Sequence, residues 1–580
     1  MVQLTRLFEP GQIGKMELSN RLVMAPMFTR SHDKYGHITN RTIDYYVERV
    51  KGGVGLIIGQ SSVILRETHT PGRSGIWDDS VIPRFRDLTD AIHKHGGKIA
   101  WQLMHLGKLL NQWRDIDPEL RAIGPEEATI EDVERQIEGY GESARRLKEA
   151  GFNAVEIHGA HGYLISQWLS PLCNRRTDGY GSTAERRARF ACEVIARVRQ
   201  KVGADFPVIL RFSGSGFLEG GITLEDSMRQ APLFVEAGVD ALHVSAGETW
   251  SYNMVAPSYM FPDGALVHLA AAIKQVVNVP VITVGKIGDP LLAERILEDG
   301  KADFIAMGRA LLADPNLPNK AKEGRLEDIQ RCIYCNNCLN SDWRTGLKGQ
   351  GHSCTVNPAL LREKSFVIER TTSPKKVMVI GGGLAGMEAA KILAKRGHQV
   401  SLYERSDRLG GQWNIACKDE AKKHFASVTK RMSSELEIAG VEINLNREVT
   451  SKLVRVVKPD AVVVATGAVP RILNIPGIDD KNVVQAIDVL AGKITVGQKV
   501  VVIGGRLRGM ELAVSLAEQG KRVSLVTMMK LGEPGTPLDI GLFITLRDRL
   551  VKNGVYIFTN TPVSKITHTG VYAEFGHGSV

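Results

Sequence analysis

EAGFNAVEIHGAHGY, residues 149–163, carries the end of a helix, a short strand and a polar strand end in one stretch. A glycine suited to stopping a helix precedes AVEIH, an apolar run of strand length, and two histidines and a tyrosine follow at once. The lead-in recurs as EAGVDALHVS at 236–245 and as EDGKADFIAMG at 298–308. Working outward, eight short apolar runs appear: RLVMAP, VGLIIGQ, KIAWQL, AVEIH, PVILRF, ALHVSA, PVITVG and DFIAMG. Most are separated by helical patterns. Near-continuous apolar strands alternating with helices imply a parallel sheet, and eight units over about 290 residues match a TIM (β/α)8 barrel. An open doubly wound sheet is the rival.

In such a barrel the chemistry gathers at the C-terminal ends of the strands. Gln102, His158, Arg211, Ser245 and Arg309 stand at those ends. A glutamine there can hydrogen-bond an amide-like ring edge, and an arginine can hold negative charge on a reduced cofactor. Gly285 and Gly308 leave backbone N–H groups open to a phosphate. His158 and His161 can aim ring N–H groups at one carbonyl oxygen and stabilise developing enolate charge. Tyr163 can supply a proton as general acid. A metal site and a buried structural pair are the competing readings of the histidines, but no carboxylate accompanies them at ligand spacing.

Residues 331–358 read RCIYCNNCLN…HSCTVNP and hold Cys332, Cys335, Cys338 and Cys354. Two C-x2-C steps and a distant fourth thiolate suit a 4Fe–4S cubane, each of whose irons takes one sulfur. Zinc favours two separated C-x2-C pairs, and buried free thiols are the remaining alternative. The segment lies between two different αβ patterns, where electrons could cross.

After a polar linker at 369–376, VMVIGGGLAGMEAA runs strand into helix with Gly381, Gly383 and Gly386 in G-x-G-x-x-G spacing; the next strand ends at Glu404. In that context the helix N-terminus holds a pyrophosphate and the acid takes ribose hydroxyls. Gly411 and Gln412, with Thr466 and Gly467 in VVVATGAVP, resemble FAD-binding disulfide-reductase-like domains, which favours FAD over NAD. A second unit, KVVVIGGRLRGMELA, replaces the middle glycine by Arg506 between Gly504 and Gly509, and its next strand ends in Thr527 where an acid is wanted. It reads either as a degenerate domain kept for structure or as a modified NADPH site, and NADH is expected to be a poor donor. The expected domains are a barrel at 1–330, a cluster segment at 331–368, an FAD-binding domain at 375–495 and a second nucleotide-binding domain at 496–580.

The 580-residue length suggests three or four domains. The charge of +10 and pI near 9.1 come from scattered residues of both signs, which speaks for a solvated surface and against a nucleic-acid footprint. No signal-peptide h-region and no apolar run of membrane-spanning length is present. Cys173, Cys192 and Cys417 show no disulfide spacing, which fits a cytoplasmic location.

The phrases NRLVMAPM, EIHGAHGYLISQWLSP, NRRTDGYGS and AMGRALLADP resemble the old yellow enzyme family of FMN barrels. With the cysteine segment and second half, the chain is similar to the group of 2,4-dienoyl-CoA reductases, enoate reductases and trimethylamine dehydrogenases. The resemblance implies that FMN rests on Pro26 and Met27, with Gly59, Gln102 and Arg211 around its ring and its phosphate at Gly285, Gly308 and Arg309. It also implies that His158 and His161 hold a substrate carbonyl and that Tyr163 donates the proton. Phe28 stands where the amine dehydrogenases carry a flavin-linked cysteine, and they have a tyrosine in place of His158. Both departures favour reduction of a conjugated C=C bond, in an unsaturated carbonyl or acyl-CoA, over amine oxidation. The C-x2-C-x2-C spacing, however, is the amine-dehydrogenase one. Leu172 replaces an arginine many relatives have, so an anionic tail needs another cation. A homo-oligomer and an electron-carrier partner are further expectations. Relatives also continue past GHGSV with a segment completing the FAD domain, here expected to be missing or supplied by another chain.

Overall fold

The computed structural model describes residues 4–33, 35–70, 72–113, 120–344, 351–531 and 539–574. It divides into two compact units, 1–365 and 366–580. The cysteine segment falls in the first, and both glycine-rich motifs fall in the second.

All eight apolar runs are strands. They are β1 (Leu22–Met24), β2 (Leu56–Val63), β3 (Ile99–Met104), β4 (Ala154–Gly159), β5 (Val208–Ser213), β6 (Ala241–Ser245), β7 (Val281–Thr283) and β8 (Phe304–Met307). Each pairs in parallel with the next, and β8 pairs with β1, so the sheet closes. The first unit is a TIM barrel, and the open-sheet alternative is excluded by that last pairing.

The recurring lead-in has a conformational cause. Gly151, Gly238 and Gly300 each follow a helix with φ of +88°, +111° and +65°, where a side chain would be strained. The helices begin as deliberately. Thr129 accepts from the backbone N–H of Asp132 at 3.2 Å, while the Asp132 carboxylate accepts from the Thr129 N–H at 3.3 Å. Thr223 and Asp226 repeat this box at the helix Leu224–Glu236.

Side chains alternate between the two faces of each strand. One face meets the helices, where Trp101 packs edge-on against Tyr46, Phe85 and Phe152. The other fills the barrel. Its floor is apolar, with Val23, Leu56, Ala100, Ala154, Ile209, Ala241, Ile282 and Phe304 in one buried cluster. An N-terminal hairpin, Gly11–Ile13 with Met16–Leu18, contributes Ile13, Met16 and Leu18 to that cluster and plugs the floor. One step up, Gln102, Glu156, Arg211 and His243 are all buried, and the interior turns polar.

The cysteine segment is fastened to the barrel. Arg49, on the helix Asn40–Lys51, is buried and pairs with Glu363 at 2.7 Å. Arg41 donates to the Leu361 carbonyl at 2.7 Å, and Asn357 donates to the Leu312 carbonyl at 2.8 Å.

In the second unit, β9 (Lys376–Ile380), β10 (Gln399–Tyr403), β11 (Glu442–Asn444) and β12 (Ala461–Val464) form a parallel sheet in the order β11-β10-β9-β12. A second parallel sheet follows, β13 (Lys499–Ile503), β14 (Arg522–Val526) and β15 (Tyr556–Phe558), in sequence order. Lys422 and Glu511, at 2.5 Å, pin the two together. Among the described residues no helix is long and apolar enough to cross a membrane.

Candidate functional site

The barrel mouth is built on the polar layer. Glu156, fully buried, accepts from Gln102 Nε2 and meets His243 Nδ1, each at 2.7 Å. Gln102 thereby keeps its Oε1 for another partner. Arg211 is buried beside this group, donating to Ser245 Oγ at 3.3 Å while its Nε has no partner. Burial works against its charge, which Glu156 supports. A buried guanidinium short of partners fits a ligand that brings negative charge.

Above it stand the two histidines and Tyr163. His161 has φ of +65° and Gly162 φ of +77°, and this left-handed pair folds the chain back after β4. The turn brings His161 Nε2 within 2.7 Å of Ser245 Oγ, and the His161 N–H within 3.2 Å of Ser213 Oγ. The His158 ring meets that of His161 edge-on at 5.0 Å and that of Tyr163 at 4.9 Å. Burial, and then the charge of Arg211, hold both histidines well below their ordinary pKa, so both are neutral.

Hydrogen bonding fixes the tautomer of His158. His158 Nδ1 accepts from the Ala160 N–H at 3.3 Å, so its proton is on Nε2. Ser245 Oγ, which accepts from Arg211, either gives its proton to His161 Nε2 or accepts one from it; when it gives, the His161 proton is on Nδ1. With the His161 proton on Nδ1 the site offers two neutral N–H donors. Tyr163 caps the short helix Leu164–Leu169 and packs partly buried against Val63, Met104 and Leu106.

The expected flavin contacts frame the same mouth. A Cβ at Gly308 would come 3.1 Å from Met27 Sδ, so that glycine keeps β1 and β8 close. Gly285 has φ of +120° and lies against Leu266. A Cβ at Gly59 would meet the Trp101 ring at 2.1 Å, so packing alone demands a glycine there. Pro26 and Met27 are half-buried just past β1. Arg309 differs from expectation in direction. Its side chain leaves the mouth, donating to the Pro257 carbonyl at 2.8 Å and to Asn336 Oδ1, with its guanidinium 4.9 Å from the Tyr334 ring centroid. Only its backbone stays at the β8 end. The strands Ala154–Gly159 and Ala241–Ser245 hid two further residues, Glu156 and His243. Each points into the barrel two positions before a strand-end residue, and inward spacing was the signal available.

Cys332, Cys335, Cys338 and Cys354 all line one small cavity, with Arg309, Ile333 and Val356. Cys338 is buried, and burial pushes its thiol well up. Cys332 is part-exposed as a residue, but its sulfur is ringed by protein and its thiol is pushed up to about 12. Among the described residues no three His, Cys, Asp or Glu side chains are placed to hold a single metal ion. Four thiols around one cavity, rather than at one point, suit a cluster in which each iron takes one of them.

In the second unit Gly381, Gly383, Gly386, Gly411 and Thr466 converge. A Cβ at Gly386 would lie 1.8 Å from the Gly381 carbonyl oxygen, and one at Gly381 would lie 2.3 Å from that of Ala465, next to Thr466. Gly411 approaches Gly383, whose own Cβ position is open. Gly467 has φ of +82°, and Gln412 donates to the Ala468 carbonyl. Glu404 is buried. Burial alone would raise its pKa, but backbone N–H groups of Ser406 and Gly382, at 2.9 and 2.7 Å, hold it below the usual range.

The second motif repeats this geometry. A Cβ at Gly509 would lie 1.8 Å from the Gly504 carbonyl oxygen, and Thr527 sits by Gly505 as Glu404 sits by Gly382. Arg506, exposed, caps the helix Leu507–Glu518 where Gly383 caps Leu384–Lys395.

The sequence profile described as "NADH:flavin oxidoreductase / NADH oxidase family" matches residues 6–328, the barrel built above. The chain belongs to that family. The profile described as "Pyridine nucleotide-disulphide oxidoreductase" matches residues 344–450 and 375–578. Among curated relatives, an NADH oxidase of Thermoanaerobacter brockii is 40% identical over 99% of this chain and 90% of its own length. A cinnamate reductase of Clostridium sporogenes is 35% identical over 97% and 89%. Among solved structures, a 2-naphthoyl-CoA reductase complex superposes with a TM-score of 0.89 at 30% identity, covering 100% of this chain and 91% of that one. A 6-hydroxypseudooxynicotine amine oxidase from Pseudomonas geniculata does so with a TM-score of 0.90 at 26%, covering 99% and 89%. The family member described here is a flavin-dependent oxidoreductase, and the two profiles indicate FMN-type and FAD-type flavin binding.

Proposed function

We propose that this flavoenzyme reduces a C=C bond conjugated to a carbonyl or acyl thioester, with electrons passing from FAD through a 4Fe–4S cluster to FMN. The observation that carries the reading is the pair of neutral histidine donors beside Tyr163. FMN, when bound, supplies the hydride; Pro26, Met27, Gly59, Gln102 and Arg211 would hold its ring, and Gly285 with the Gly308 and Arg309 backbone its phosphate. Arg211 Nε brings the positive charge a reduced ring calls for. The four cysteines would ligate the cluster, and Gly381, Gly383, Gly386, Glu404, Gly411, Gln412, Thr466 and Gly467 would cradle FAD.

The remaining steps belong to the chain. His158 Nε2–H and His161 Nδ1–H bind the substrate carbonyl oxygen, which polarises the double bond and stabilises charge as it develops on that oxygen. Because both rings are neutral, they act as donors without surrendering a proton. Tyr163 O–H then protonates the α-carbon. An amine-oxidising reading is favoured by the likeness to the amine oxidase, but Phe28 and His158 speak against it. One experiment decides. The prereduced enzyme, mixed anaerobically with an enone, an enoyl thioester or an amine, is followed by flavin absorbance. Reoxidation by an unsaturated carbonyl is expected. Reduction of the oxidised enzyme by an amine, with no response to any enone, would overturn the proposal.

A further inference from the structure

The eight barrel strands carry one arginine, Arg211, and one acid, Glu156. A carboxylate inside an otherwise apolar strand is costly, so its partners decide what it does. Glu156 is fully buried, and both its oxygens are taken, Oε1 by Gln102 Nε2 and Oε2 by His243 Nδ1, each at 2.7 Å. Gln102 is its register partner across β3 and β4, and His243 is the register partner of Arg211 across β5 and β6. Burial holds His243 below its ordinary pKa, against the pull of Glu156, so the ring is neutral and Nδ1 donates. Its Nε2, buried without a partner, then carries no proton. A neutral histidine steadies the carboxylate without cancelling its charge.

Two consequences reach the mouth. The first is orientation. Gln102 spends its amide nitrogen on Glu156, so the group it has left is Oε1, an acceptor. An oxidised flavin ring has a single N–H to offer such an acceptor. The second is charge. Arg211 donates to Ser245 Oγ and keeps an Nε with no partner, while Glu156 supports its charge through space. A guanidinium alone would stabilise a negatively charged reduced ring. A carboxylate buried in the same layer acts against that stabilisation.

We propose that Glu156 is a positioning residue for the flavin, fixing Gln102 as an acceptor for the ring and lowering the potential of the bound cofactor by opposing Arg211. The inference rests on the placement of FMN at Gln102 and Arg211 proposed above, and not on the identity of the substrate. A lower potential makes the reduced ring a stronger hydride donor. One buried unit charge should change the ratio of reduced to oxidised FMN affinity roughly tenfold. For a two-electron couple that factor is about 30 mV.

The test uses the whole holoenzyme and Glu156→Gln, which keeps the shape and can still accept from Gln102 but loses the charge. Spectroelectrochemical titration reads the FMN couple, with the other redox couples of the same sample as internal controls. The FMN potential is expected to rise by about 30 mV, the same tenfold factor, while the affinity of the FMN-depleted chain for oxidised FMN changes little. Glu156→Leu also frees the Gln102 amide, and should weaken binding of oxidised FMN about tenfold. Gln102→Leu added to that variant should cost little more, because the two act through one contact. Flavin content and thermal melting of each variant confirm folding. An unchanged or lower FMN potential in Glu156→Gln overturns the proposal, as does a Glu156→Leu protein that binds FMN as tightly as the native one. Arg211→Met, expected to lower the potential, separates this inference from the placement beneath it. If Arg211→Met shifts the potential and Glu156→Gln does not, the placement stands and the inference falls. If neither Arg211→Met nor Gln102→Leu alters potential or affinity, the placement falls and takes the inference with it.

Discussion

Tyr163 and the two histidines divide the work of one turn, and single substitutions should separate their parts. Tyr163→Phe keeps the ring that packs against Met104 and Leu106 and removes only the proton. Loss of a positioned general acid costs about 10²–10⁴-fold. Reduction of the flavins should be unchanged and reoxidation by substrate slowed by that factor; an unaltered oxidative rate would remove Tyr163 from the mechanism. Cys335→Ala tests the cysteine cavity in the same way. Iron content should fall, and donor-driven turnover with it, while chemically reduced FMN still reacts. About four irons per chain in that variant would contradict the ligand assignment.

At the scale of the element, the nucleotide-binding turns set fold and ligand against each other. The last glycine of each motif, Gly386 or Gly509, is demanded by a carbonyl 1.8 Å from any added Cβ, and the first, Gly381 or Gly504, by φ of +106° or +113°, so they persist with or without a nucleotide. The middle position combines open space at Gly383 with an ordinary φ of −72°, and there the second turn carries Arg506. A side chain at that cap obstructs a pyrophosphate, and Thr527 cannot chelate a ribose diol as Glu404 could. Arg506→Gly should therefore speed NADH-driven flavin reduction in stopped-flow traces. It should slow NADPH-driven reduction if the guanidinium pairs with phosphate. Rapid, saturable reduction of the unaltered protein by NADH would show that Arg506 does not obstruct. The barrel was legible strand by strand, because parallel strands covered on both sides are near-continuous apolar runs and their helices end on positive-φ glycines. The mouth was legible only at the strand ends. Glu156 and His243 look like noise in an apolar strand until closure turns them inward and makes them partners. Neither the course of the Arg309 side chain nor the approach of Arg73 to Phe28 is set by local sequence; both depend on loops meeting across the barrel.

For the first unit as a whole, buried neutral histidines make stability depend on pH. Burial holds His32 at about 4 and His105 at about 3, and holds His158 and His161 well below their ordinary value. The unfolded chain protonates near pH 6.5, so below that it binds more protons than the folded barrel and stability falls with pH. Each such histidine contributes up to about 1.4 kcal/mol per pH unit between the two values. Thermal melts should show Tm dropping from pH 6.5 to 4.5, and His105→Gln should reduce the slope; a flat profile would contradict the neutral assignment. Arg309 has a different consequence for the whole unit. Its backbone stands at the strand end expected to hold the flavin phosphate, while its guanidinium is held by Asn336 and Tyr334 among the cysteines. One residue rooted in both proposed cofactor sites would link their occupancies thermodynamically, and such linkage is reciprocal. Removing iron with a chelator should weaken FMN binding by some factor, and removing FMN should weaken iron retention by that same factor. In Arg309→Ala both factors should approach one, the outcome expected if each cofactor, once loaded, prepares the place of the other.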